Sequence, residues 1–138
     1  MKRVLLTLVL SATAFIANAQ TYQWVQVSHE SFPGGTVLKS AIDIANIKTE
    51  NNFKYYWFRF DQENLFNKDG TRFTRVYFSL NKIDCNQGIW TPVYSNTFVN
   101  GVLIEKGPKE WTWNMIDPNT TASLSGEHVL RRLVCKNS

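Results

Sequence analysis

The sequence predicts an α+β fold that is mainly β: a single antiparallel sheet of about six strands with a short C-terminal helix tethered by a disulfide. Three observations lead there. Alternating runs rich in aromatic and β-branched residues recur from Tyr22 to Asp117, punctuated by turn pairs. The period lengthens from two to nearly four residues only near the C-terminus. Two cysteines are present, one at the end of a strand-like run and one at the end of the expected helix.

The first strand is YQWVQVS, which alternates Tyr22, Trp24 and Gln26 onto one face. FPGG at 32–35 is a turn, because proline fixes φ and glycine tolerates φ > 0. SAIDIANIK, residues 40–48, reads equally as a strand or as a helical turn followed by a strand, and Asn51-Asn52 is a turn. FKYYWFRFD, residues 53–61, carries the strongest strand signal. Phe53, Tyr55 and Trp57 lie on one face and Tyr56, Phe58 and Phe60 on the other, which suits the middle of a sheet. ENLFNKDGT is expected to be a loop ending in an Asp-Gly turn.

RFTRVYFSLNKIDC alternates again, setting Phe73, Arg75 and Tyr77 against Thr74, Val76, Phe78 and Leu80. GIWTPVYSNTFV and GVLIEK flank Asn100-Gly101, the strongest two-residue hairpin signal in the chain. EWTWNMID is the last strand, stopped by Pro118. In the terminal segment Val129, Leu130, Leu133 and Val134 share a helical face, with Arg131 and Arg132 opposite. Ser125 is the expected N-cap and Glu127 favours the first turn. A helix of about ten residues is marginal alone, below the ~12–15 at which isolated helices hold, so it needs tertiary support.

The first 19 residues, MKRVLLTLVLSATAFIANA, read as a secretory signal peptide: a basic start at Lys2 and Arg3, a short apolar run, and Ala17-Asn18-Ala19 before Gln20. Residues 20–138 are then one domain. The expected destination is the periplasm, the cell surface or the medium. The cleavage region carries no cysteine for a lipid anchor, and no other apolar run is long enough for a membrane helix. Half of the formal +4 charge leaves with Lys2 and Arg3, too little remaining to imply nucleic acid or an anionic membrane. In an oxidising compartment Cys85 and Cys135 are expected to pair. The bridge closes 50 residues and is worth roughly 4 kcal/mol in the chain-entropy model. It would staple the weak helix onto the sheet.

No catalytic constellation, cofactor motif or metal site is read from the chain. His29 and His128 are expected to be solvated, and Asp61 and Glu63 to sit in a solvated loop after the central strand. NKDG has the outline of a calcium loop, but with Asp69 and Gly70 at the fifth and sixth loop positions the outer ligands would be Leu65 and Val76. Of the five tryptophans, Trp111 and Trp113 share one face of the last strand and are the candidate partner-binding aromatics. The tryptophans otherwise read as core, with one or two of the five partly exposed to stack on a sugar or a partner.

Trp24, the YYWF strand with Trp57, KIDC, the Asn100-Gly101 hairpin, EWTWNMIDPNT with Trp113 and Pro118, and the terminal LVC occur in an order that resembles the surface-adhesin protein E family of Gram-negative bacteria. The resemblance runs from Trp24 to Cys135. It implies a sheet with the helix tethered to one side, no catalytic residues, and a protein partner such as vitronectin, laminin or plasminogen. The alternative drawn from the residues is a soluble periplasmic inhibitor or accessory partner of an envelope enzyme, and dimerisation is open in either case.

Overall fold

In a computed structural model the described residues are 21–108, 114–115 and 126–136. They form one open antiparallel sheet and one helix. The strands are β1 (Trp24–Ser31), β2 (Val37–Asp43), β3 (Lys48–Glu50), β4 (Phe53–Phe66), β5 (Arg72–Asp84), β6 (Ile89–Val99), β7 (Val102–Pro108) and β8 (Asn114–Met115). The main path is β1-β2-β4-β5-β6-β7, a meander in which each long strand pairs with its neighbour in sequence. Short β3 extends the β4 edge and β8 pairs with β6. The helix α1 runs Gly126–Lys136. Among the described residues no helix is long and apolar enough to cross a membrane.

Local chemistry explains most boundaries. The ambiguous SAIDIANIK segment resolves into the end of β2, a turn and β3. Asp43, fully buried, makes that turn. Its Oδ1 accepts from the backbone N–H of Gln23 at 2.8 Å and of Ala45 at 3.1 Å, and its Oδ2 accepts from Asn46 Nδ2. Asp43→Ala is expected to destabilise by about 1–3 kcal/mol, because two backbone donors lose their acceptor. Asp43→Asn should recover only part of that loss in urea unfolding, since its amide oxygen can still accept from the two backbone N–H groups while its NH2 replaces the acceptor for Asn46 Nδ2.

The sequence reading ended the central strand at Asp61 and placed residues 63–71 in a loop. β4 instead runs on to Phe66. Asn64, at φ 55°, is the irregular residue that makes this possible. Its side chain donates to the Gly35 carbonyl at 3.0 Å and its own carbonyl accepts from Thr36 Oγ1 at 3.0 Å. Pro92 is tolerated inside β6 because it lies at the register shift opposite Asn81, where pairing passes from β7 to β8. Asn100 and Gly101, at φ 48° and 79°, close the β6–β7 hairpin as their residue types demand. Among the described residues β1 and β7 are the edge strands of the main path, and Val102, Leu103 and Ile104 of β7 are exposed.

The fully enclosed core is small and lies between one end of the sheet and the helix. Val27, Ile42, Tyr56 and Ile83 from four strands meet Leu130 and Val134 of α1, with Phe58 and Trp90 packed alongside. Cys85 and Cys135 are bridged, with their Cα atoms 5.7 Å apart. Cys85 follows Asp84, whose carboxylate accepts from the N–H groups of Asn86 and Gln87 to form a tight turn. Arg131, read from the sequence as part of the outer helix face, turns back to this corner. It donates to the Cys85 carbonyl at 2.9 Å, and its guanidinium lies 3.1 Å from where a Cβ on Gly88 would sit. With φ at 68° as well, Gly88 has two reasons to lack a side chain.

Candidate functional site

The pleat of the central strands sorts their side chains into two unlike faces. On the helix-bearing face the register sets out three rows. Ser40, Phe60, Tyr77, Thr97 and Glu105 lie across from one another on successive strands. Beside them run Ile42, Phe58, Ser79, Ser95 and Gly107, and then Tyr56, Asn81 and Pro92. The helix covers the Ile42–Tyr56 end. It leaves two adjoining cavities of about 350 and 390 Å³ over the rest, both lined by Phe58, Phe60 and Trp90.

These cavities form one cleft with an aromatic and hydroxyl lining. Phe60 and Tyr77 stack with centroids 6.3 Å apart. Ser28 and Ser40 hydroxyls bond to each other where β1 meets β2. Ser95 and Thr97 are buried at 8% and 5% exposure, and Asn81 at 1%. Asn81 Nδ2 reaches the Tyr56 hydroxyl at 3.4 Å, whereas its Oδ1 is buried with no hydrogen-bond partner among the described residues. Most buried polar groups are satisfied, so an orphaned amide oxygen lining a cleft is a feature that calls for a function. Glu30 and Glu105 are the charged groups in the lining.

The other face bears a row of rings across the strands. Tyr22 stacks on Trp24 at 5.8 Å, Trp24 meets Phe78 edge-on at 6.0 Å, and Phe78 meets Phe98 edge-on at 5.8 Å. Arg59 lies over Phe78, 5.3 Å from its centroid, held by two 2.7 Å hydrogen bonds to Asp61. Those bonds, with the added pull of Asp61 and Glu63, raise the Arg59 pKa above its ordinary value. Asp61 and Glu63 are therefore not loop carboxylates. Both lie on β4, and Glu63 pairs with Lys39 at 2.7 Å.

The described tryptophans correct a second expectation. Trp24, Trp57 and Trp90 are all half-buried, so none belongs to the enclosed core. Among the described residues α1 is the one element packed on a face of the sheet, so these large rings keep one side partly exposed. Lys54 and Arg59, five residues apart, fall on opposite faces of β4, so they form no basic stripe. His29 is exposed as expected. Among the described residues no cluster of three or more metal-ligating side chains occurs. Trp111 and Trp113, residues 1–19 that were read as a signal peptide, and Ser125 lie outside the described residues, as does the side chain of His128. The cleft itself was missed in the sequence. Its signal is the inward polar set Ser79, Asn81, Ser95 and Thr97, at positions where a covered face would be apolar.

No protein-family model, curated protein or solved structure matches the chain.

Proposed function

We propose that the chain is an exported, non-enzymatic binding protein that engages a macromolecular ligand on the helix-bearing face of its sheet. In this reading it acts as an adhesin of the surface-adhesin protein E type, with a host matrix or serum protein such as vitronectin, laminin or plasminogen as partner. The observation that carries it is the continuous cleft over Phe58, Phe60 and Trp90, each of its two halves within the volume range of ligand sites. Its lining of rings and hydroxyls is suited to stacking and hydrogen bonding. The disulfide is compatible with export.

The test has two parts: protease treatment of intact cells against fractionated periplasm, and binding of the oxidised chain to immobilised vitronectin, laminin and plasminogen. Digestion on intact cells with saturable binding is expected. Protection inside the periplasm with no binding would remove the adhesin reading. A second reading, an accessory partner or inhibitor of an envelope enzyme, draws on the opposite face. The ring row from Tyr22 to Phe98, capped by the fixed Arg59 charge, is the kind of flat amphipathic patch that protein partners cover.

A further inference from the structure

We infer that the cleft on the helix-bearing face is a binding site for a neutral oligosaccharide, a step that rests on reading this face as the ligand-binding one. The argument starts from the orphaned acceptor. Asn81 lines the cleft, is 1% exposed, and offers a buried amide oxygen with no donor among the described residues. Ser95 and Thr97, nearly as buried, add hydroxyls in the next two rows. A ligand seated here must supply hydrogen-bonding groups at intervals of about one strand spacing, ~4.8 Å.

It must also be flat and apolar on one side. Phe58, Phe60 and Trp90 are shared by both halves of the cleft, so anything that fills it lies against them. Pyranose rings satisfy both demands. Their axial C–H bonds rest on the electron-rich faces of aromatic rings, and their equatorial hydroxyls donate and accept around the rim. From Ser40 on β2 to Thr97 on β6 the cleft crosses three strand spacings, about 14 Å, room for two or three sugar rings.

Other occupants fit less well. An acyl chain would cover the Asn81 oxygen and the hydroxyls without giving them donors. An anion would meet Glu30 and Glu105 and no cation in the lining. An extended peptide gains most of its affinity by adding to a sheet edge, but β4, β5 and β6 are each paired on both sides. A sugar brings its own hydrogen bonds and needs no free strand.

The test is titration of the oxidised chain with cellotetraose, chitotetraose and maltotetraose, followed by amide chemical shifts. At least one should give saturable shifts centred on residues 79–81 and 95–97. Asn81→Leu should weaken that binding at least about tenfold, because it removes an acceptor that the ligand satisfies, and its melting temperature, read alongside, shows what loss of the Nδ2–Tyr56 bond costs the fold. Thr97→Val, which keeps the side chain's shape, and Phe60→Leu, which keeps an apolar side chain but no ring, should each weaken it severalfold. Absence of saturable shifts at millimolar sugar overturns the inference. So do shifts confined to the Trp24–Phe78 face, or an Asn81→Leu variant that binds as the parent does. The broader reading is separated by immobilised matrix glycoprotein before and after deglycosylation. Binding that survives deglycosylation, with no tetrasaccharide shifts, keeps the adhesin reading and overturns the sugar site; no binding to either form overturns the adhesin reading, and overturns the sugar site too where the tetrasaccharides give no shifts.

Discussion

Replacing Tyr56 with alanine should destabilise the fold by about 3–5 kcal/mol, the range for removing a large buried aromatic. Tyr56 is the largest fully buried side chain among the described residues, and it stands where β4 meets the helix. Its ring shares the core with Ile42, Ile83, Leu130 and Val134. Because that core is a small set of side chains at one end of the sheet, the neighbours cannot collapse inward from several directions. The cavity term should therefore be near the upper part of the range. Urea unfolding at constant slope measures it. A loss under ~1 kcal/mol would mean that the helix and sheet do not share one core.

The second large effect concerns the bridge. Cys135→Ser should cost about 2–5 kcal/mol and lower the melting temperature by roughly 10 °C or more. The loop it opens spans 50 residues, and the helix it frees is only 11 residues long. Among the described residues α1 is then held by Leu130 and Val134 in the core, Val129 and Leu133 packed against it, and the Arg131 bond to the Cys85 carbonyl. Amide exchange should then show α1 losing protection ahead of β4 and β5, which are paired along their length. An unchanged melting curve, with exchange in α1 still slow, would show that packing alone docks the helix.

The sheet was legible because its signals are local. Asn100-Gly101 demands a hairpin whatever surrounds it, and FKYYWFRFD alternates strongly enough to announce a central strand. The bridge was legible because the chain has only two cysteines. The extension of β4 past Asp61 was not, since Glu-Asn reads as a strand terminator until Asn64 is seen bonded to residues 35 and 36. Nor was the sidedness of β5. The run Val76, Phe78, Leu80 looks like the core face, yet Phe78 faces the helix-free side. The enclosed core follows the alternate set that ends at Ile83. Which face a helix will cover is decided by residues some fifty positions later, and no local pattern carries that information. The cleft was hidden for the same reason: Ser79 and Asn81 look like ordinary solvent-facing positions until the register places Phe58, Ser95 and Pro92 beside them.

The meander order of the long strands bears on how the molecule comes together in time. Every pairing from β1 to β7 joins strands that are successive in the main path, so each closes a short loop and none waits for the far end of the chain. A polypeptide emerging amino end first can zip hairpin upon hairpin as it appears. The helix and Cys135 arrive last, when Tyr56 and Ile83 already form a prepared seat. Oxidation then fixes the short helix on that seat.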